Sequence, residues 1–584
     1  MKLIKKINPV TISFVIIVLL IININKNLSY WERDDKIITY DVECYYAYLP
    51  ATFIYKDISL NFTDTLPDDL KKKIHGAKTV TGKKCIKTSM GLSVLYAPFF
   101  VLGHVSALLG NYPANGYSLP YRLFLIISSI FYFIIGLFFL KKVLLNYFSK
   151  AATIITLIVI IFGTNLLYYL THSAVLAHSY NFSLIAVFIY LVQQWYKNPS
   201  YSNSFLIGLL SGLFVLIRPT NMFVLIFFVL YGINNIRNLK ERAIYFIKLY
   251  KKVLLIIVSF IIIWIPQFLY WNYVSGKWIY FSYGENESFF FTNPQIINGL
   301  FSYRNGWLVY APVMIFSLIG LFFLRAKLKL FFIPVTIYFI VFIYVTFSWW
   351  CWWYVGFGNR AMIDTYSILA IPLAAFVEWF IKKKKIWMFL NIIVFAGFIY
   401  LNIFQIDQYM HGVIHYNAMT KKAYWHSFGK SRINYKKRIY FESPNYQLAR
   451  KGINAINYKY RNGKYCYVID STETKSMGKR FEFNKLSNSD SLCLKLSINV
   501  MPPSKPKENT LCLVAFLSHN GEIYQYEHLN INDLNLKLNE WNYVEYQVNF
   551  NNPKSKNDLV RFFIEHKGID FVFVDKLKYE VIGN

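Results

Sequence analysis

The chain has 584 residues, 55% of them hydrophobic and 16% charged, against roughly 25% charged in an ordinary soluble domain. Many apolar runs reach the ~18–20 residues that cross about 30 Å of hydrocarbon, which excludes a soluble globular protein. The formal net charge is +31, but the basic residues sit in short clusters between apolar runs, with no basic domain and no nucleic-acid motif, so no nucleic-acid partner is expected.

Residues 1–28 carry lysines and then a long apolar run with no small-residue cleavage site, which predicts an uncleaved anchor rather than a signal peptide. Further basic clusters lie at Lys141/Lys142/Lys150, Lys197, Arg237 to Lys252, Arg325/Lys327/Lys329 and Lys382 to Lys385. With all of them on the cytoplasmic side, spans fall at roughly 8–27, 119–140, 152–170, 175–195, 204–217, 219–236, 253–274, 306–324, 329–348, 366–381 and 386–404. That is about eleven, an odd number, so the C-terminal part lies opposite the N-terminus. The segment 90–110 is apolar enough to cross, yet counting it would reverse Lys141 and Lys142. It is therefore expected to be re-entrant or interfacial. Pro219 should break the helix that precedes it.

The first outer loop, 28–118, is the largest between spans, which points to function on that side. It opens with "TYDVECYYAYLP", where Asp41 follows the first span closely enough to be partly desolvated as a general base. Glu43 shares its face only if the backbone is extended. The plain alternative is a pair of interfacial acids in a tyrosine belt. Cys44 and Cys85 share this loop, so either a disulfide or two free thiols fits. No Cys/His spacing suggests a metal.

Later junctions add cations and aromatics. "THSAVLAHSYNF" holds His172 and His178 at an outer turn, with a spacing wrong for a helical metal pair. "LIRPTN" places Arg218 between two apolar helices, where a guanidinium must face a cavity or partner and is the natural clamp for a phosphate. "SWWCWWYVGFGNRAMID" combines four tryptophans with Arg360 and Asp364. Aromatic faces there suit a sugar or a polyprenyl chain, and Arg360 suits phosphate. If helix resumes by Arg360, it forms an i,i+4 pair with Asp364. From about residue 405 the pattern changes to period-two alternation, predicting a connector over 405–454 and a small extramembrane β-sandwich over 455–584. Acid, histidines, arginines and aromatics all map to one membrane boundary, which suits a reaction on a lipid-phosphate-linked substrate.

Residues 8–404 resemble the GT-C superfamily of integral-membrane glycosyltransferases, in the branch of protein O-mannosyltransferases and lipid A aminoarabinose transferases. The resemblance rests on "YDVECYYAYLPATFIYKD", "MGLSVLYAPFFVLGH", "NGYSLPYR", "AHSYNF", "LIRPTN", "NGWLVYAPV" and "WWCWWYVGFGNRAMIDTYSILAIPLA". It implies a multi-spanning α-helical fold over 1–404 that moves sugar from a polyprenyl-phosphate donor to a glycan, lipid or protein acceptor. The reaction would lie on the outer face of a bacterial cytoplasmic membrane, and the segment 90–110 would be a membrane-parallel helix. Carried over by motif, Asp41 is the catalytic base, with Glu43 second. His178, Arg218 and Arg360 are phosphate or substrate contacts, joined by Tyr45, Tyr46 and Trp353. A divalent metal would be compatible, although the residues offer no ligand set. Outside the resemblance, "FVFVDKLKYEVI" looks like the last strands of a carbohydrate-binding jelly roll. Rival readings are a lipid-linked-sugar flippase, which needs ionisable groups at the bilayer midplane, and an O-antigen polymerase or ligase, which needs its large loop late in the chain.

Overall fold

The computed structural model describes residues 8–65, 76–283, 287–433, 467–469, 478–502, 511–519, 522–567, 572–575 and 577–582. The chain divides into two compact units, Met1–Ser443 and Pro444–Asn584. The first is helical and the second is β: a multi-spanning α-helical membrane protein with a C-terminal extramembrane β-sandwich. Lys2, Lys5 and Lys6 lie outside the described residues, as does the expected connector beyond residue 433.

The helices that frame the first unit are α1 (Pro9–Leu28), α2 (Asp41–Tyr46), α3 (Gly91–Leu109), α4 (Leu119–Leu145), α5 (Lys150–Phe162) and α6 (Ala177–Lys197). They continue with α7 (Tyr201–Ile217), α8 (Tyr250–Ser275), α9 (Ile315–Lys327), α10 (Lys329–Ser348), α11 (Tyr366–Ile381) and α12 (Lys385–Met410). Their starts carry local signals. Asn8 caps α1 ahead of Pro9, and the hydroxyls of Ser149 and Ser200 accept from backbone N–H groups of the first turns of α5 and α7.

Among the described residues seven helices are long and apolar enough to cross a membrane, and three more apolar helices are shorter. The seven include the segment 91–109, which was not among the expected eleven spans, and leave out α6, which was. The helix α8 leaves much of its apolar surface open, with Leu254, Ile257, Ile261 and Leu269 exposed, as a lipid-facing helix should. The helix α6 is buried along most of its length and carries His178, Ser179, Asn181, Ser183 and Gln193 there. A helix enclosed by other helices can hold polar groups that lipid would not tolerate, which blunts its hydropathy signal. The segment 90–110 is one continuous helix, α3, apolar and long enough to cross.

Close packing is set by small residues. Gly136 of α4 sits against Ser183 of α6, Gly208 and Gly212 of α7 against the backbone of α8, and Gly320 of α9 against Pro372 of α11. The large first loop is also structured. A hairpin of β1 (Gly76–Lys78) and β2 (Lys84–Ile86) folds onto the C-terminal end of α8, where Thr81 donates to the Val274 carbonyl at 2.7 Å and the Tyr270 hydroxyl accepts from Ile86 N–H at 2.8 Å.

Further strands are β3 (Tyr467–Ile469), β4 (Lys479–Glu482), β5 (Ser491–Met501), β6 (Leu511–His519), β7 (Glu522–Asn530), β8 (Asn542–Asn551), β9 (Leu559–His566), β10 (Val572–Val574) and β11 (Lys578–Val581). They form two antiparallel sheets. In one, β8 and β5 pair along their length, β10 and β11 follow one another along the other side of β5, and β3 flanks β10. In the other the order is β4-β9-β6-β7. Counting β10 and β11 as one broken strand, this is a double Greek key, the strand order of a jelly roll. Leu492, Leu494, Leu496, Ile498 and Val500 of β5 point inward at every second residue and meet Leu513, Val548 and Phe562 in one core. The polar edge strand β7 and the short β4 lack the alternation that marks β5.

Candidate functional site

Four segments of the helical unit converge: the end of α7, the start of α6, the turn before α11 and the start of α2. Helix α7 stops at Ile217 because the residue before Pro219 is pushed out of helical geometry, so Arg218 is extended, with φ −145° and ψ 109°. His178 is the second residue of α6. Arg360 and Asp364 lie in the 3₁₀ turn Arg360–Thr365 that leads into α11. Asp41 is the first residue of α2, preceded by Tyr40 at φ 51° and ψ −125°, a strained conformation for a tyrosine. Tyr354, before the Arg360 turn, also has positive φ, at 40°. The lysines of α4, α6, α8, α10 and α12 lie at the opposite ends of their helices.

Two acid–arginine pairs result. Asp41 Oδ2 lies 2.7 Å from Arg360 Nη2. Arg360 is the only side chain that pairs with this carboxylate among the described residues, and the Asp41 side chain remains 48% exposed. The guanidinium holds the Asp41 carboxyl below the usual carboxylate range. Lys87, paired with Glu287 at 2.8 Å, adds positive field at Asp41.

The second pair is enclosed. Asp364 is fully buried; its Oδ2 accepts from Arg218 Nη1 at 3.1 Å and from Asn181 Nδ2 at 3.3 Å, and its Oδ1 lies 3.2 Å from His178 Nδ1. His178 Nδ1 is also 3.2 Å from Arg218 Nη1. The Arg218 guanidinium sits over the Tyr354 ring, 5.6 Å from its centroid. Asn221, fully buried, lies alongside Asp364. Tyr169 packs its ring against His178 at 5.7 Å, and its hydroxyl fills the space where a Cβ at Gly356 would be, a position held at φ 141° that favours glycine.

Thus Asp41, His178, Arg218 and Arg360 come together, and Tyr45 joins them through a long contact, 3.5 Å, from its hydroxyl to the Ile217 carbonyl. Three residues singled out from the sequence do not. Glu43 is buried on the far side of α2 near Tyr117, because a helical turn rather than a strand separates it from Asp41. Tyr46 packs among Tyr96, Phe100 and Tyr117 and donates to the Gly116 carbonyl. Trp353 is buried against Trp350 and Trp352, with Arg304 over its ring at 5.8 Å. The expected Arg360–Asp364 pair is also absent: each acid takes its cation from a distant segment. His172 bonds to Tyr30 at 3.0 Å and is a packing residue. Cys44 and Cys85 are free thiols.

Sequence reasoning missed Lys87, Glu287, Asn181, Asn221 and Tyr354. Asn181 was legible: it lies three residues after His178, on the same helical face of the motif "AHSYNF". Lys87 and Glu287 come from two different loops, and no local pattern links them. Among the described residues no cluster of His, Cys, Asp and Glu has the makings of a metal site.

No family model matches the sequence, and no curated protein matches it. Among solved structures, the chain is similar to the single-particle cryo-EM structure of the arabinosyltransferase EmbB from Mycobacterium smegmatis, with 9% sequence identity and a TM-score of 0.34. The similarity covers 97% of this chain and 64% of that one, so the chain spans less than two thirds of the length of EmbB.

Proposed function

We propose that the protein is a glycosyltransferase that moves a sugar from a polyprenyl-phosphate donor to a hydroxyl or amine of a glycan, lipid or protein acceptor. The observation that carries this reading is the half-exposed Asp41 carboxylate, held among the described residues only by Arg360, beside a second guanidinium fixed in the protein interior. A carboxylate that opens toward solvent can take a proton, and two arginines at a membrane boundary suit the phosphate that departs. The acceptor O–H or N–H attacks the anomeric carbon as the bond from that carbon to the phosphate oxygen breaks. Its proton passes to Asp41, the polyprenyl phosphate leaves with the bonding electrons, and one displacement inverts the anomeric centre. In the resting site Arg360 neutralises Asp41. A donor phosphate that draws Arg360 away would free the carboxylate and raise its basicity at the moment it is needed.

The site lies at the helix ends opposite the lysine clusters, which by the positive-inside rule supports a reading with the site on the outer face of a bacterial cytoplasmic membrane, the N-terminus cytoplasmic and the β-sandwich periplasmic. The flippase reading wants ionisable groups at mid-membrane, whereas His178, Arg218, Arg360 and Asp364 all sit at helix ends. The test is incubation of purified protein with a panel of polyprenyl-phosphate sugars, reading release of lipid phosphate. Asp41→Asn is expected to lower turnover by at least ~100-fold in a folded protein. Undiminished turnover in that variant removes Asp41 from the reaction.

A further inference from the structure

We propose that Asp364 is the positioning residue that turns Arg218 into a fixed phosphate anchor, an assignment that rests on the lipid-phosphate reading of the site. Every side-chain hydrogen bond that Arg218 makes among the described residues runs through Nη1, to Asp364 and to His178. The Nε and Nη2 edge is left over, and that edge is the one a guanidinium lays side-on against two oxygens of a phosphate. The Tyr354 ring supports the plane of the group, and Pro219 fixes the backbone that carries it. Arg218 therefore needs little reordering to meet an anion.

Asp364 rather than His178 is the constant partner. His178 Nδ1 faces both the Asp364 carboxylate and the Arg218 Nη1 at 3.2 Å. With a proton on Nδ1 the ring donates to Asp364 and offers Arg218 nothing; without one it accepts from Arg218 and offers Asp364 nothing. Either form leaves the Arg218–Asp364 bond at 3.1 Å in place. Asn181 donates to the same oxygen and keeps the carboxylate from turning. The two arginines then have different duties. Arg360, on an acid open to solvent, can be exchanged; Arg218, on a buried and multiply bonded acid, stays.

The experiment measures binding of farnesyl phosphate, with inorganic phosphate as a second arm, to the full-length protein. Wild type should bind farnesyl phosphate, and loss of a charge-assisted contact in Arg218→Gln should weaken it by about 10- to 100-fold. Asp364→Asn should weaken it by a similar factor, and the double variant no further than Arg218→Gln, because both changes remove one unit. Folded Asp364→Asn with wild-type affinity overturns the assignment, as does a wild-type protein that binds no farnesyl phosphate. Should Asp364→Asn fail to fold, Asn181→Ala carries the test, since it loosens the same carboxylate and leaves every charge in place. A several-fold loss supports the proposal and unchanged affinity overturns it. Binding of farnesyl phosphate with no sugar transfer from any donor would sink the glycosyltransferase reading and leave the anchor standing. Transfer with full affinity in Arg218→Gln would do the reverse.

Discussion

At the scale of single residues, the two acids show how environment assigns roles to identical side chains. Asp364 is enclosed by His178, Asn181 and Arg218 and has no route for exchanging a proton with an acceptor. Asp41 pairs with Arg360 and keeps an open side. Because Arg360 depresses the Asp41 pKa, the carboxylate is ionised above that lowered value, and the ion pair is lost as pH falls through it. Removing the guanidinium in Arg360→Gln moves the Asp41 pKa upward toward the ordinary ~3.9. The acid limb of the kcat/KM profile is therefore expected at higher pH in Arg360→Gln than in wild type, alongside a lower plateau. A limb that stays put would separate the base from Asp41. The sequence made Asp41, Arg218 and Arg360 legible because charged residues beside apolar helices need partners. Which cation meets which acid was not legible, since the two pairs join positions 41 with 360 and 218 with 364.

At the scale of elements, glycine contacts link helix packing to the site. Gly91 of α3 lies against the backbone of Leu216 and Ile217, immediately before Arg218. A methyl group there has to push α7 aside, at a cost of about 1–3 kcal/mol for an overpacked contact. Gly91→Ala is expected to lower the melting temperature and also to reduce the rate of lipid-phosphate release. Gly320→Ala forces the same kind of clash on Pro372 of α11, but at the α9–α11 crossing. It should lower the melting temperature while the folded fraction keeps its specific activity. Equal activity loss in both variants would show that packing anywhere, not the placement of Arg218, governs the rate. The helices themselves follow closely from the apolar runs and from Pro219, Asn8 and Ser200. In the β unit the strands with alternating burial were readable, while β7 was not, because an exposed strand has no apolar face to mark it.

At the scale of the whole molecule, the arrangement is one of opposed ends. Lysines cluster at one end of the helices, and the acid–arginine site sits at the other. The charge bias predicts orientation, and labelling checks it. In a cysteine-free background, Asn61→Cys should react with a membrane-impermeant maleimide in intact cells, and Lys384→Cys only after permeabilisation. The opposite pattern would put the site in the cytoplasm and remove the outer-face reaction.

By itself the sequence determined that this chain is a multi-spanning helical protein with β strands toward its C-terminal end, and which charged side chains beside apolar helices need partners. Those properties are written in local composition and period. Tertiary structure alone decided that Glu43, Tyr46 and Trp353 are buried away from the paired acids, and that Asp41 and Asp364 divide the two arginines between them. The reason is physical: a helix fixes which neighbours share a face, but partners separated by 146 residues or more, as Arg218 and Asp364 are, meet only when the bundle closes.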